Sequence, residues 1–377
     1  MKTAIVLLNF GEPESADPEE VASFLEGIFL ANASLEGGRS PEETRARARS
    51  LAEARAPALA EEYKSLGGSP LNRQAHEQAR LLTKLLRRRG HDVEGVVGMQ
   101  FTRPSIPDAV RKAKEAGARG IVALPVYPLP GPSTTRAALR TFREAVKGEA
   151  WRGTIGEIPI WHRHPTYVQL RANAIRRTAR EAGVELEDPG TVLVFSAHGT
   201  PLHYLRAGSP YLQHARELCR ALWENLGEPR YRVGFQNHDH RPGVKWTEPS
   251  VESVIDELRR DPTVATVVVE PVSFMHEQSE TLVELDRDLR QEAREGGLRF
   301  HRVPIPHASR PFIRLLASRV EAFLQRDAAQ NALDAAARPE RASAPGGPED
   351  GPGGPTELAS TGSASPLRGR SGWKPNW

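Results

Sequence analysis

A histidine ends one of the most apolar stretches of the chain. Residues 191–201 read TVLVFSAHGTP, in which a run of apolar and β-branched residues leads to His198 and then to Gly199 and Pro201. The run predicts a buried strand that stops at the Gly and Pro. An imidazole there can bind a metal ion or transfer a proton, because its ordinary pKa is near neutral. The alternative is a strand-end histidine that is partly covered by a loop and has no chemical role.

Three carboxylates follow a second apolar run. Residues 265–274, ATVVVEPVSF, predict another strand, and the helical segment after it carries Glu280, Glu284 and Asp288. At a spacing of four residues, these side chains form a row along one helix face. Like charges at that spacing weaken a helix slightly, so the row needs an explanation. It is either an exposed acidic face balanced by neighbouring arginines or part of a functional site.

His198 and Glu280 become more informative when they are considered together. Each follows a predicted parallel strand, and ligands of such sheets bind at the carboxyl ends of the strands. An imidazole and a carboxylate suit a divalent cation such as Fe²⁺. A row of further carboxylates would suit the passage of a hydrated cation or of released protons.

The chain lacks the motifs of other common sites. HExxH and CxxC are missing, which argues against a closed zinc site, and no Walker A or Gly-x-Gly-x-x-Gly sequence indicates a nucleotide. His238-Asp239-His240 resembles a metal motif, but it precedes Arg-Pro-Gly in a polar segment, so we interpret it as a loop.

Alternating strands and helices should position these residues. The strands are predicted at residues 3–10, 93–101, 120–128, 191–198, 231–237, 265–274 and 298–304. The helices are predicted at about 18–29, 40–65, 70–89, 105–116, 134–146, 166–182, 209–226, 249–260, 277–294 and 309–325. This alternation is typical of an α/β fold with parallel sheets and right-handed crossovers.

The two halves of the chain repeat one pattern. TAIVLLNFGEP at 3–13 and TVLVFSAHGTP at 191–201 share Thr, Val, Gly and Pro at the same offsets, and each half has a later strand with Pro-Val. We therefore expect two similar Rossmann-like, doubly wound domains, 1–150 and 151–326, with the active-site cleft between them. Residues 327–377 are rich in Ala, Pro, Gly and Ser, which predicts a disordered tail.

Composition excludes several functional classes. The 377 residues are 38% hydrophobic and 26% charged, as in a globular protein, and no apolar run is long enough to span a membrane. One cysteine allows neither an internal disulfide nor an iron–sulfur cluster, so we expect a cytoplasmic protein. The net charge of +3 comes with arginine clusters that lack interleaved aromatics, which argues against nucleic acid as a partner.

Six motifs in order resemble the ferrochelatase family, which inserts ferrous iron into a porphyrin. They are LLNFGEP (7–13), LGGSPLN (66–72), LPVYPLPGPSTT (124–135), SAHGTPLHYLRAGSPY (196–211), FQN with the following W and EP (235–249), and VSFMHEQSETLVELD (272–286). Together they cover about residues 3–325, in two Rossmann-like halves. The resemblance implies haem biosynthesis, with porphyrin and Fe²⁺ as substrates and no resident cofactor.

The resemblance also implies roles for individual residues. His198 matches the family's proposed iron ligand or pyrrole-proton acceptor, and Glu280 matches the glutamate that faces it. Glu284 and Asp288 match the acidic track behind that glutamate. Five further residues match positions near the porphyrin face or its propionates: Phe10, Ser69, Ser133, Thr134 and Thr135.

Some features depart from the family pattern or leave alternatives open. Gln278 stands where many relatives have a second histidine, and FQNHDHRPG replaces the usual loop, so the proton relay is expected to differ. Protoporphyrin and coproporphyrin both remain candidate substrates. A tetrapyrrole carrier is the alternative function, while a sirohydrochlorin chelatase is disfavoured by the motif order. We expect a monomer, in which the apolar segment 28–31 is a candidate for transient membrane contact.

Overall fold

Two parallel sheets with the same strand order form the framework of the protein. The structure is a computed structural model, and it describes residues 2–33, 39–158, 160–236 and 244–336, with side chains to residue 328. The first sheet consists of β1 (Thr3–Asn9), β2 (Val93–Met99), β3 (Gly120–Pro125) and β4 (Thr154–Glu157), in the order β2-β1-β3-β4. The second consists of β5 (Thr191–His198), β6 (Tyr231–Gln236), β7 (Thr266–Pro271) and β8 (Arg299–Arg302), in the order β6-β5-β7-β8. The prediction of an α/β fold built from two similar halves is confirmed.

Continuous apolar sequence explains the central strands. Every residue of β1 and β7 is buried, and so is every residue of β5 before His198. All neighbouring strands pair in parallel. Strands that are covered by helices on both faces need such runs, because neither face meets water.

β4 was not predicted from the sequence. This strand has only four residues, includes Gly156 and is partly exposed, so its pattern is weak. Pairing with β3 at the sheet edge holds it in place. The first sheet therefore extends to Glu157.

Eleven helices connect and cover the strands in the described part of the chain. They are α1 (Pro18–Ala31), α2 (Pro41–Leu66), α3 (Leu71–Arg88), α4 (Ile106–Glu115), α5 (Ala137–Gly148), α6 (Pro165–Ala182), α7 (Leu202–Arg206), α8 (Tyr211–Asn225), α9 (Val251–Arg259), α10 (Arg290–Glu295) and α11 (Arg310–Ala336). The start of α1 follows the predicted capping, since Asp17 accepts a hydrogen bond of 2.9 Å from the Glu19 N–H.

Two segments predicted as α-helix are instead π-helical. They are Pro132–Arg136, directly before α5, and Glu280–Leu289, directly before α10. A π-helix closes its hydrogen bonds between residues five apart, and such segments are frequent at functional sites. Glu280 is the first residue of the longer segment, which therefore carries the predicted carboxylate row.

The C-terminal helix continues beyond its predicted end. α11 reaches Ala336, so residues 327–336 are helical and not part of a disordered tail. The alanines of this stretch have high helix propensity and extend the preceding amphipathic segment. The remainder of the predicted tail, 337–377, lies outside the described residues. No described helix has both the length and the apolar content needed to cross a membrane.

Candidate active site

The site lies where the strand order of each sheet changes direction. In the second sheet the chain passes from β5 to β6 on one side and later to β7 on the other, so a crevice opens between the carboxyl ends of β5 and β7. His198 is the last residue of β5, and Glu280 follows β7 after a short loop. The first sheet has the equivalent crevice, between the carboxyl ends of β1 and β3.

The fold brings His198 and Glu280 together. The Nε2 atom of His198 lies 3.1 Å from Oε1 of Glu280, and its Nδ1 lies 2.6 Å from the Gly199 carbonyl oxygen. The His198 side chain remains 37% exposed and that of Glu280 16% exposed. An imidazole fixed at Nδ1 and open toward a carboxylate at Nε2 can hold a metal ion or exchange a proton.

Neighbouring backbone contacts fix the position of His198. Its N–H donates to Ser273 Oγ at 2.9 Å, and its carbonyl accepts from the Tyr211 hydroxyl at 2.8 Å. Tyr211 and Ser273 are themselves 3.0 Å apart through their hydroxyl oxygens. The end of β5, the loop after β7 and the start of α8 are thus tied together at one point.

The His198–Glu280 pair holds a proton at neutral pH. Burial alone would lower the pKa of His198, but the Glu280 carboxylate, the Gly199 carbonyl and Glu284 together raise it to about 9. The imidazole in the metal-free site is therefore protonated, whereas a neutral ring is needed to bind a metal ion.

A glutamine connects the backbone of Glu280 to the carboxylate of Glu284. Nε2 of Gln236, at the end of β6, donates to the Glu280 carbonyl at 3.0 Å and to Glu284 Oε2 at 3.2 Å. Gln278 donates to the other carboxylate oxygen of Glu280. Burial and then the nearby Glu280 charge raise the pKa of Glu284. Glu284 can therefore accept a proton that leaves the His198–Glu280 pair.

Asp288 lies at the outer end of the row. Its side chain is 55% exposed and pairs with Arg287 at 2.7 Å. The row therefore extends from the half-buried Glu280 to the surface, with Glu284 between them.

Glu12, which was not predicted from the sequence, lies beside the proposed site. It lies in the Gly-Glu-Pro that follows β1, and only 4% of its surface is exposed. Its carboxylate accepts hydrogen bonds from the Ser279 hydroxyl at 2.6 Å, from the Ser279 N–H at 3.3 Å and from the Ser69 hydroxyl. Because Glu12 follows a buried strand as His198 does, its position was the signal that could have found it.

The predicted porphyrin-contact residues occupy different environments. Phe10 forms an aromatic cluster with Phe101 and Phe24, at ring-centroid distances of 4.7 and 6.1 Å. Ser133 donates to Asn32 Oδ1 at 3.0 Å, and the Tyr204 hydroxyl from the second half donates to the same oxygen at 3.0 Å. Phe10 and Ser133 thus lie at the carboxyl-end edge of the first sheet.

Of the remaining three residues, Ser69 and Thr134 form hydrogen bonds within the protein, and Thr135 is buried. The Ser69 hydroxyl is bound to Glu12, and the Thr134 hydroxyl accepts from the Gly131 N–H at 3.2 Å. Thr135 is 4% exposed, so its burial does not favour a substrate contact. In segment 28–31, Phe29 is buried between α1 and α2 while Leu30 is 37% exposed.

Comparison with known proteins identifies the family. The sequence model of the ferrochelatase family matches residues 2–324. The chain belongs to the ferrochelatase family. The ferrochelatase of Synechococcus sp. (strain JA-3-3Ab) is 36% identical over 86% of this chain and 94% of its own length. That of Citrifermentans bemidjiense is 32% identical over 85% of this chain and 98% of its own.

A solved structure supports the fold independently. SirB from Bacillus subtilis with Fe³⁺ aligns with a TM-score of 0.51 over 85% of this chain and 95% of that chain, at 13% identity. At this identity the likeness shows the chelatase fold alone. Membership of the ferrochelatase family makes the protein a metal-inserting lyase of haem biosynthesis, with porphyrin and iron as its substrates. The HDH segment 238–240 lies outside the described residues.

Proposed function

We propose that the protein inserts Fe²⁺ into protoporphyrin or coproporphyrin during haem b synthesis and releases two protons. The observation that carries the proposal is the 3.1 Å contact between His198 Nε2 and Glu280 Oε1, at the crevice where ligands of such sheets bind. Metal insertion requires a group that holds the ion and a group that removes protons, and this pair supplies both.

His198 and Glu280 act as one unit in this proposal. The pair loses its own proton as the iron arrives, and it then accepts protons from the pyrrole nitrogens as the iron passes to the porphyrin. Glu284 receives every proton that leaves the pair, because its pKa is raised, and Asp288 at the surface returns these protons to water. Phe10 and its aromatic neighbours provide an apolar surface for the flat macrocycle.

No resident cofactor is part of this proposal. The single cysteine, Cys219, is buried and cannot by itself hold an iron–sulfur cluster. A cytoplasmic monomer remains our expectation, as does transient membrane contact through segment 28–31.

Replacing His198 with Ala tests the proposed function. We expect kcat for anaerobic iron insertion to fall by about 10²- to 10⁴-fold, the usual contribution of a positioned proton-transfer group. Glu284→Gln should cause a smaller loss, since it interrupts the row without removing the pair. The exposed histidine His76 on α3 supplies the control, His76→Ala, which should turn over normally.

Two outcomes would contradict the assignment. Near-normal turnover of His198→Ala would show that the histidine is not needed. A single turnover by the wild-type protein would indicate a carrier. Supplying the two porphyrins in competition to one sample identifies the substrate by the ratio of the products.

A further inference from the structure

Two histidines and a glutamate converge at a second position, outside the proposed active site. His162 lies between β4 and α6, while His214 and Glu217 lie on α8. Each of the three offers a ligand atom, and these atoms lie within 4.8 Å of one another. The mechanism proposed above uses none of these residues.

The cluster has an organised geometry. Nε2 of His162 lies 2.8 Å from Glu217 Oε2, and the rings of His162 and His214 have centroids 4.5 Å apart. His214 and Glu217 are three residues apart on a helix, so their side chains share one face. Ligand atoms that share one Zn²⁺ at about 2.0–2.1 Å are at most about 4.2 Å apart, so small side-chain rotations suffice to close the site.

Burial affects the pKa of all three side chains. Only 5% of His162 is exposed, and burial lowers the pKa of both histidines because it disfavours a charged ring. Burial alone would raise the pKa of Glu217, but hydrogen bonds from His162 and Gln213 lower it. Two neutral imidazoles and a carboxylate are a ligand set that Zn²⁺ sites commonly use.

Two buried ring atoms lack a hydrogen-bond partner. Nδ1 of His162 and Nδ1 of His214 are both inaccessible, and neither has a partner among the described residues. A buried polar atom without a partner is unusual in a folded protein, and a bound water or ion is one recognised explanation for it. One cation competes for the glutamate, since Arg163 Nη1 lies 4.0 Å from Glu217 Oε2. The Arg163 side chain is 64% exposed, so it can move into solvent.

We propose that His162, His214 and Glu217 form a second site for a divalent transition metal, with Zn²⁺ as its probe. Three protein ligands leave a fourth position for water, so the ion exchanges rather than being permanently enclosed. The ion would join the segment between the halves to α8, whose first residue, Tyr211, contacts the His198 carbonyl. The site therefore stabilises the element that holds the catalytic strand end.

The test counts metal sites in full-length protein without a histidine tag. His198→Ala removes the imidazole of the active-site pair, so any tight Zn²⁺ site that remains lies elsewhere. After treatment with a chelator and its removal, calorimetric titration of His198→Ala with Zn²⁺ should show one bound equivalent. Co²⁺ in the same protein should give visible absorption bands with three protein ligands.

Two further variants locate the remaining site. Adding Glu217→Gln or His214→Ala to His198→Ala should weaken Zn²⁺ binding by at least the roughly 10- to 100-fold that loss of an outer-shell partner costs. Adding His76→Ala should leave the binding unchanged. Glu217→Gln preserves side-chain shape, and circular dichroism of each metal-free variant confirms its fold.

The proposal is overturned by either of two results. One is the absence of tight Zn²⁺ binding in His198→Ala, and the other is binding that both Glu217→Gln and His214→Ala leave intact. Iron insertion by the single His214→Ala variant is expected to continue. Failure of this second site would therefore leave the proposed function standing.

Discussion

The buried carboxylate of Glu12 and the half-buried carboxylate of Glu280 come from different halves of the chain and influence each other electrostatically. Glu12 follows β1, and Glu280 begins the π-helical segment after β7. Burial raises the pKa of Glu12 and the Glu280 charge raises it further, although the Ser279 and Ser69 hydroxyls favour the ionised form. Glu12 thus holds Ser279, the residue before Glu280, by accepting two hydrogen bonds from it.

The raised pKa of Glu12 predicts a pH dependence of stability. A carboxyl group with a higher pKa when folded than when unfolded binds protons more tightly in the native state. The wild-type protein should therefore gain stability relative to Glu12→Gln as the pH falls from 7 toward 4.5, by at most about 1.4 kcal/mol per pH unit. Urea denaturation of both proteins at several pH values measures the difference.

Glu43 supplies a control of opposite sign. Hydrogen bonds from the backbone and side chain of Ser40 lower the pKa of Glu43 in the capping box of α2. The wild-type protein should therefore lose stability relative to Glu43→Gln as the pH falls through the acid range. If the stability of the wild-type protein relative to Glu12→Gln stays constant with pH, or increases toward high pH, the pKa of Glu12 is not raised by folding.

At the scale of elements, a buried ion pair fixes β7 against α6. Arg171 is 1% exposed and Glu270 fully buried, and their two hydrogen bonds measure 2.7 and 2.8 Å. Arg171 also donates to the Pro304 carbonyl at 2.9 Å. Because β7 leads into the loop that carries Ser273 and then Glu280, this pair supports the proposed site without touching it.

Removing one member of this pair should be strongly destabilising. Arg171→Ala leaves the Glu270 charge buried without its partner, so we expect the free energy of unfolding to fall by about 3–5 kcal/mol. The matched control is Arg143→Ala, which breaks an equally short pair with Glu157 at 2.7 Å, but with Arg143 61% exposed. An exposed pair contributes about 0–1 kcal/mol. Equal losses in the two variants would contradict this explanation.

At the scale of the whole molecule, buried hydrogen bonds join the two halves. Gln78 on α3 is fully buried and donates to the carbonyls of Met275 and His307, at 3.4 and 3.1 Å. Its own carbonyl lies 3.0 Å from Nε2 of His276. Burial lowers the pKa of His276 to about 3, so this ring is neutral and donates to Gln78. The loop after β7 is thus held by the first half of the chain.

Replacing Gln78 with Leu should weaken this connection. The substitution keeps a similar volume but leaves His276 and two carbonyls without their partner, so we expect a loss of about 1–3 kcal/mol. Chemical denaturation measures it, and Gln169→Leu, at an exposed position on α6, should change stability by no more than about 0.5 kcal/mol. A normal stability for Gln78→Leu would show that these bonds contribute little. If the two halves need this contact to stay aligned, the rate of iron insertion should fall as well.

The sequence by itself determined the class of fold and the position of His198 at the end of a buried strand. The continuous apolar runs predicted β1, β5 and β7 closely, because strands buried on both faces need such runs. His198 was predicted because a polar residue at the end of such a strand lies at the edge where ligands bind. The order of six motifs predicted the family, and the family match confirms it.

Only the tertiary structure decided which distant residues meet. Glu12 and Ser279 are 267 residues apart in sequence, yet their side chains are within 2.6 Å, and no local pattern encodes that contact. The same holds for His162 with Glu217, and for β4, which depends on its neighbour in the sheet. Local propensity reports what a segment can form, whereas the packing of two sheets selects the partner of each buried polar group.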